Sequence, residues 1–219
     1  DGSLVLVDYD GMYVPAMKGQ KAREMGSPDF RHPKRTENNF DEAYEIIASQ
    51  VLMVKDDVDA VLLETMSDLY EVKAGILAVK ENSNLPVFVT MTFEQNGRTL
   101  TGCDPITYVN VVEGLGVDAL GVNCSLGPVE LKPIVDALLE NASVPVIVQP
   151  NAGLPKLKDG KTVYELDPQV YADALNEMIK EGVSIVGGCC GTTPEYIQTL
   201  SSSITKEKQE RCIKKKTRT

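Results

Sequence analysis

Three cysteines that follow apolar runs are the residues best suited to chemistry in this sequence. Cys124 follows the apolar stretch 119–123, and the adjacent Cys189 and Cys190 follow the apolar stretch 183–186 and two glycines. If both stretches are strands of one parallel sheet, their carboxyl ends meet at the same edge. We therefore expect the three sulfurs to lie close together, where three thiolates would hold one soft metal ion, and zinc is the best candidate.

The chemistry of such a site follows from its charge. Zinc held by three protein ligands keeps a fourth position for water or substrate. With three thiolates the site carries a net negative charge, which makes it a weak Lewis acid toward water but a good host for one more thiolate. A substrate thiol bound there loses its proton near neutral pH and remains nucleophilic. The reaction class that needs this nucleophile is alkyl transfer to sulfur.

The residues alone leave other interpretations of the cysteines open. A buried cysteine is often a small apolar core residue, and Cys189 and Cys190 could form a strained vicinal disulfide. We interpret Cys103, in a loop, and Cys212, near the C-terminus, as bystanders. An odd total of five cysteines in an acidic chain does not suggest a disulfide framework, and it favours a reducing cytoplasm with metal-binding or catalytic thiols.

Four further polar residues lie at the ends of apolar runs and are candidates for substrate binding: Glu64, Thr92, Asn123 and Asn151. Glu64 could bind a substrate ammonium group, or it could be a carboxylate that favours a helix N-terminus. Asn151 could hydrogen-bond a substrate or form an Asx turn. His32, the only histidine, lies in a polar stretch, and we interpret it as a surface residue.

Composition excludes several classes of protein. The chain has 219 residues, of which 42% are hydrophobic and 25% charged, as in an ordinary globular domain. A net charge of -10 disfavours nucleic-acid binding, and no apolar run approaches the roughly 20 residues of a membrane helix. We expect a cytoplasmic protein without nucleic-acid or membrane partners. The basic residues near the C-terminus are interpreted as a solvated tail.

Apolar runs alternate with amphipathic stretches, which predicts a β/α repeat. Strands are expected to begin near residues 4, 58, 87, 118, 144 and 183, separated by helices and by polar loops at 12–39 and 154–165. Strands that are apolar on both faces suit a parallel sheet covered by helices. Polar residues at the carboxyl ends of the strands are typical of a TIM-type (β/α)8 barrel. No Gly-x-Gly-x-x-Gly follows a strand, which disfavours a dinucleotide-binding fold.

A closed barrel of this type has eight βα units, and six are counted here. Because the chain opens inside a predicted strand, we expect the first two units to be missing, with open sheet edges at the strands near Leu4 and Val183. Open parallel edges favour pairing, so self-association is expected. We predict a barrel domain over residues 1–203, N-terminally incomplete, and a basic tail over 204–219.

Six short motifs lie at the ends of the predicted strands. They are Leu62-Leu63-Glu64-Thr65, Met91-Thr92-Phe93, Gly121-Val122-Asn123-Cys124, Ser125-Leu126-Gly127-Pro128, Gln149-Pro150-Asn151-Ala152-Gly153 and Gly187-Gly188-Cys189-Cys190-Gly191. Over about residues 58–200 the chain resembles the homocysteine S-methyltransferase family, and within it the homocysteine-binding modules of cobalamin-dependent methionine synthases. The resemblance implies a (β/α)8 barrel with zinc on Cys124, Cys189 and Cys190. It also implies homocysteine as the thiol acceptor, with Glu64 near its amino group.

The function implied by this resemblance is zinc-dependent methyl transfer to homocysteine, giving methionine. The methyl donor is not identified, because users of methylcobalamin, S-methylmethionine and betaine share the zinc motifs. A corrinoid or folate module would be carried by another domain or protein, and we expect the isolated chain to transfer methyl groups poorly. One alternative is a non-catalytic zinc-binding barrel fragment that needs another chain or segment. A barrel lyase or aldolase is another, although no lysine ends a predicted strand.

Overall fold

A computed structural model of the chain describes residues 4–7, 22–26 and 40–204. Within these residues the chain forms an α/β fold of nine strands and six helices. In chain order the elements are β1 Leu4–Val7, β2 Ala22–Gly26, α1 Phe40–Val54, β3 Ala60–Met66, α2 Leu69–Asn82, β4 Val87–Met91, α3 Pro105–Gly114, β5 Ala119–Asn123, α4 Pro128–Asn141, β6 Val146–Gln149, β7 Lys156–Lys158, β8 Lys161–Val163, α5 Pro168–Glu181, β9 Ile185–Gly188 and α6 Pro194–Ser203. The predicted alternation of strands and helices and the parallel sheet are confirmed.

Among the described residues, seven strands form one sheet in the order β1-β9-β6-β5-β4-β3-β2, with every neighbouring pair parallel. The strands from β2 to β9 follow chain order, and β1 adds beyond β9, with Leu4 opposite Ile185. The ends of the sheet are therefore β1 and β2. We expected open edges at the strands near Leu4 and Val183, and for the second of these the prediction is wrong because β9 lies between β6 and β1.

Two predicted loops contain strands. β2 lies inside the polar stretch 12–39 and pairs with β3, with Ala22 opposite Ala60. β7 and β8 form an antiparallel hairpin inside 154–165. At its turn Asp159 and Gly160 have positive φ of 51° and 74°, which is the backbone conformation that an Asp-Gly hairpin turn requires. Both stretches are polar, which is why the sequence predicted loops there. In the hairpin, the side chains of β7 and β8 are mostly exposed, so its strands are held by backbone pairing rather than by apolar burial.

Aspartate caps fix the starts of three helices after the loops that carry candidate site residues. The Asp104 carboxylate accepts a hydrogen bond from the backbone N–H of Thr107 at 2.9 Å, with Pro105 in the first turn. Asp68 and Asp167 cap α2 and α5 in the same way. Each capped helix holds one end of a loop whose other end is held by a strand of the sheet.

Apolar side chains on the two faces of the sheet enter separate clusters. The larger cluster joins the helices to the sheet, whereas the smaller one contains Leu62, Ala119, Ile147 and Ile185, with Phe88 packed against it. We call the face that carries the smaller cluster the inner face. Because side chains alternate along a strand, the residue two positions further on shares its face. By this alternation five residues near the carboxyl ends of the strands also belong to the inner face: Glu64, Thr90, Asn123, Gln149 and Cys189.

Some predictions fall outside the described residues: His32 as a surface residue, Cys212 as a bystander and the basic tail beyond residue 204. In residues 40–204, which contain all the described helices, none is long and apolar enough to cross a lipid bilayer.

Candidate metal centre

The three cysteines predicted to hold a metal come together where β5 and β9 end. The Sγ atoms of Cys124, Cys189 and Cys190 all lie within 4.8 Å of one another, and those of Cys124 and Cys190 are 3.6 Å apart. A tetrahedral zinc site with Zn–S bonds of about 2.3 Å places its sulfurs about 3.8 Å apart. The donor set and its spacing therefore fit zinc. All three residues are thiols rather than members of a disulfide, so the vicinal pair Cys189–Cys190 is not bridged.

The backbone bends sharply to bring Cys124 into this cluster. Cys124 and Ser125 have φ of 61° and 59°, in the left-handed region that residues other than glycine seldom occupy. Such strain costs on the order of 1–3 kcal/mol for each residue and collects at functional sites. The turn is held by a hydrogen bond from the N–H of Cys124 to the carbonyl of Gln149 at 3.0 Å, and by one from Leu126 back to Cys124 at 2.7 Å.

Close packing explains the glycines around the double cysteine. A Cβ on Gly188 would meet the side chain of Thr192 at 2.5 Å, and the Thr192 hydroxyl donates to the carbonyl of Cys189 at 2.7 Å. Gly191 has φ of 81°, and a Cβ there would meet the ring of Tyr164 at 2.3 Å. A side chain at either glycine would therefore push apart the loop that carries the thiols.

Hydrogen bonds tie the end of β6 to the end of β9. The N–H of Cys189 donates to the carbonyl of Pro150 at 2.9 Å, and the N–H of Ala152 donates to the carbonyl of Cys190 at 2.9 Å. The buried hydroxyl of Tyr171 donates to the carbonyl of Gly187 at 2.7 Å. Asn151 lies between Pro150 and Ala152, so its backbone runs beside the cysteine loop.

Protons are shared unequally among the thiols. Hydrogen bonds with Cys124 and Cys189 lower the pKa of Cys190 far below its usual range. The same hydrogen bonds, with burial, raise the pKa of Cys189 well above it. For Cys124, the bond with Cys189 lowers the pKa, but the bond with Cys190 and burial outweigh it, so that the pKa is raised. Of the three thiols, Cys190 therefore holds its proton least strongly.

Tyr164 is a member of this site that the sequence analysis missed. It follows the β7–β8 hairpin, and its hydroxyl hydrogen-bonds Cys190. Partial burial and then the charge of Cys190 raise the pKa of Tyr164 to about 12, so the hydroxyl keeps its proton and donates to the sulfur. The pair Asp159-Gly160 predicts the hairpin that precedes Tyr164. No sequence pattern near the hairpin indicates that it lies close to Cys190.

Asn123 was predicted to bind substrate, and the structure places it in a hydrogen-bond network within the protein. Its side-chain oxygen accepts from the N–H of Thr65 at 2.9 Å and from the hydroxyl of Thr90 at 2.8 Å. Its amide nitrogen donates to the Thr65 hydroxyl at 2.7 Å and points at the sulfur of Cys189 at 3.9 Å. This fully buried side chain therefore links the end of β3 to the cysteine cluster.

Glu64 and Thr92 lie at the ends of β3 and β4. Glu64 is only 3% exposed, although it carries a carboxylate. It lies inside β3 and the N-cap of α2 is Asp68, so the alternative of a helix-capping carboxylate is not supported. Thr92 is half-buried, and its hydroxyl and N–H both donate to the carbonyl of Met66, at 3.3 and 2.8 Å.

Three buried side-chain oxygens in the described part of the chain have no hydrogen-bond partner. They are Oε2 of Glu64, Oε1 of Gln149 and Oδ1 of Asn151. A buried polar atom without a partner costs about 1–3 kcal/mol, so native structures rarely keep one without a reason. All three belong to residues near the carboxyl ends of strands, at the same edge of the sheet as the cysteines. Cys103, the predicted bystander in the described region, does not belong to the cysteine cluster.

Comparison with known proteins now identifies the family. Residues 13–204 match the family described as Homocysteine S-methyltransferase. The chain belongs to this family. The match covers most of the chain, and it confirms the enzyme class suggested by the motifs at the strand ends.

Relatives and solved structures agree with this assignment. The chain is 41% identical over 158 residues to a methionine synthase from Mycobacterium leprae and 40% identical over 158 residues to one from Mycobacterium tuberculosis. These matches cover 69% of this chain and only 13% of either relative. The fold is that of the homocysteine methyltransferase MmuM from Escherichia coli, whose apo form matches with a TM-score of 0.66 at 21% identity, over 83% of this chain and 61% of that one. The metallated form of MmuM matches with a TM-score of 0.57 at 23% identity, over 73% and 51%.

Proposed function

We propose that this chain binds one zinc ion through Cys124, Cys189 and Cys190 and uses it to activate the thiol of homocysteine for methylation, giving methionine. The observation that carries the proposal is the convergence of three sulfurs within 4.8 Å, at a spacing that suits tetrahedral zinc. Membership of the homocysteine S-methyltransferase family supports the choice of substrate.

Zinc would supply one effect, which is to hold the substrate sulfur as a thiolate at neutral pH. A free aliphatic thiol with a pKa of about 8.5 is only a few per cent ionised at pH 7. The thiolate then attacks the methyl carbon of the donor, a new S–C bond forms, and the electron pair of the broken bond leaves with the donor. The proton lost from the thiol goes to solvent.

The chain's own residues would bind and orient the amino-acid end of homocysteine. Glu64 offers a buried carboxylate oxygen without a partner, which suits the substrate ammonium group. Asn151 also has an unpartnered side-chain oxygen, and its neighbours Pro150 and Ala152 bond to the cysteine loop. We keep Thr92 as a further substrate contact. For Asn123 we propose a positioning role, since its side-chain atoms already have partners in Thr65, Thr90 and Cys189.

We further propose that residues 1–203 belong to a (β/α)8-type barrel domain followed by a basic tail over 204–219, and that the protein works in the cytoplasm.

Because the chain spans only 13% of the methionine synthases it resembles, the methyl donor would come from elsewhere. A corrinoid or folate module on another domain or protein is the donor source we propose, with methylcobalamin as one carrier. Self-association would use the strands at the two ends of the sheet, β1 and β2.

Metal analysis tests the zinc assignment. We expect one zinc per chain, and Cys124→Ala, Cys189→Ala and Cys190→Ala should each weaken zinc binding greatly. Cys103→Ala is the matched control and should leave the zinc content unchanged, because Cys103 lies outside the cluster. Full zinc occupancy in a double variant with Cys124→Ala and Cys189→Ala would overturn the assignment.

X-ray absorption at the zinc edge tests thiol activation. Added homocysteine should bring a fourth sulfur to zinc, and a methyl-transfer assay should compare this chain with a version extended at its N-terminus. If homocysteine leaves the zinc environment unchanged in both versions, the better description is a non-catalytic zinc-binding protein.

A further inference from the structure

Gln149 is a buried polar residue that the proposed function does not use. It is the last residue of β6, its side chain is 1% exposed, and its Oε1 has no hydrogen-bond partner. A buried carbonyl oxygen has given up its bonds to water, so an unpaired one is unfavourable unless a ligand supplies the missing donor. Gln149 thus differs from a core residue, whose polar atoms are paired within the protein.

The register of the sheet places this side chain on the same face as the proposed substrate contacts. Gln149 lies directly opposite Asn123 of β5, and parallel strands in register direct paired side chains to the same face. Asn123 contacts Thr65, next to Glu64, and points at the sulfur of Cys189. The amide of Gln149 therefore lies on the inner face next to Asn123. The Asn123 side chain bonds to the end of β3 on one side and points at Cys189 on the other.

The unpartnered atoms define what kind of group can bind. The orphaned atoms of Glu64 and Gln149 are both oxygens and both acceptors, so the complementary group must bring N–H or O–H donors. A carboxylate brings only acceptors and would be repelled by Glu64. An ammonium group brings three donors and a positive charge that offsets the buried carboxylate.

We infer that Gln149 determines substrate specificity by accepting a hydrogen bond from the ammonium group of the thiol substrate, next to the carboxylate of Glu64. This inference rests on the proposed function, because it assumes that the substrate sulfur binds at the cysteine cluster. It adds a residue and a selection rule: the site takes an aminothiol and discriminates against a thiol of the same length without the amine.

The test compares two thiols that differ only in the amine. Homocysteine and 4-mercaptobutyrate share the thiol, the carbon chain and the carboxylate, and only homocysteine carries the ammonium group. Calorimetry on the zinc-loaded 219-residue chain should show tighter binding of homocysteine. Gln149→Leu should weaken homocysteine binding by about 10- to 100-fold, the usual value of one hydrogen bond to a charged group, and leave 4-mercaptobutyrate binding unchanged.

Two controls separate this effect from a change in folding or in metal binding. Gln198→Leu alters an exposed glutamine on α6 and should change neither affinity. Gln149→Glu keeps an acceptor oxygen at the same place and should keep the preference for homocysteine. Zinc content and the thermal unfolding temperature of the metal-free chain should not fall in Gln149→Leu, because the variant removes an unpaired buried oxygen rather than a bond.

The outcomes distinguish this inference from the proposed function. If Gln149→Leu weakens the binding of both thiols equally, the proposed role of Gln149 is wrong, whereas the proposed function stands. The same holds if Gln149→Glu also loses the preference for homocysteine. Equal binding of the two thiols by the unaltered chain would also overturn the role of Gln149. If neither thiol binds at the zinc of the unaltered chain, thiol activation fails and the inference falls with it.

Discussion

Two carboxamides at the carboxyl ends of neighbouring strands have opposite surroundings. Asn123 on β5 and Gln149 on β6 are register partners, and both are almost completely buried. Asn123 has protein partners for its oxygen and its nitrogen, whereas the oxygen of Gln149 has none. Burial and residue type therefore do not indicate whether a buried amide has all its hydrogen-bond partners within the protein. The groups that face it across the sheet decide this.

The difference has a local cause at the end of β3. Thr65 has φ of 57°, and the register between β3 and β4 shifts between Leu63 and Met66. This irregularity directs the N–H and the hydroxyl of Thr65 at Asn123. Gln149 lies on the other side of Asn123, toward the cysteine loops, where no side chain meets its oxygen.

The largest expected effect tests Asn123. In Asn123→Leu the Thr65 N–H and the Thr90 hydroxyl lose their acceptor in a buried place, so we expect the free energy of unfolding to fall by about 3 kcal/mol or more. Urea denaturation of the metal-free chain measures this. A loss below about 1 kcal/mol would show that the network contributes little to stability.

The pH dependence of zinc binding tests the contrast between Cys189, which Asn123 contacts, and Cys190, which Tyr164 contacts. The pKa of Cys190 is lowered and those of Cys124 and Cys189 are raised, so near pH 7 we expect Cys190 as a thiolate and the other two protonated. Zinc must displace the protons of both protonated thiols, so binding should release about two protons and tighten by about 100-fold for each unit of rising pH.

Calorimetry in buffers with different ionisation enthalpies counts these protons. A release of three, or of none, would contradict the protonation pattern.

Glu64 provides the next test, on the binding side of the comparison. Glu64→Gln removes the charge that complements the substrate ammonium group, so homocysteine binding should weaken by about 10- to 100-fold. Zinc affinity should change much less, since Glu64 is not a member of the cysteine cluster. Titration with homocysteine and metal analysis on the same sample measure the two effects, and a parallel loss of both would place Glu64 in the metal site instead.

A smaller effect is expected for Tyr164. Tyr164→Phe keeps the ring that packs on Gly191 and removes the hydroxyl that hydrogen-bonds Cys190. Zinc affinity at neutral pH should fall by about 1 kcal/mol, the net value of one hydrogen bond. Competition with a chromophoric chelator measures it, with the exposed Tyr70→Phe as the matched control.

Gln149 should show the smallest effect on stability. Gln149→Leu removes an oxygen without a partner, so the free energy of unfolding should stay within about 0.5 kcal/mol or rise. Measured beside Asn123→Leu, it sharpens the comparison between the two amides. Destabilisation as large as that of Asn123→Leu would show that Gln149 has an internal partner and is structural.

The sequence alone determined the features that depend on neighbouring residues. Apolar runs that alternate with amphipathic stretches predicted the helices and most strands between residues 40 and 204. The short motifs placed Cys124, Cys189 and Cys190 at strand ends, and parallel strands align their carboxyl ends. The sulfurs could therefore be expected to meet before any distance was known. The chemistry of the cluster follows from the thiol groups themselves.

Only the tertiary structure decided which distant groups share the site. Three contacts join residues that are far apart in the chain: the pairing of β1 with β9, the contact of Tyr164 with Cys190 and the bonds of Asn123 to Thr65. The alternation of residues along a strand predicts the face on which a side chain lies, but it does not predict which residues of the neighbouring strands that side chain will contact. Sheet register and backbone strain at Thr65 and Cys124 set those partners. Asn123 and Gln149 both end apolar runs, and the sequence pattern alone could not show that only Asn123 has partners within the protein for its side-chain oxygen.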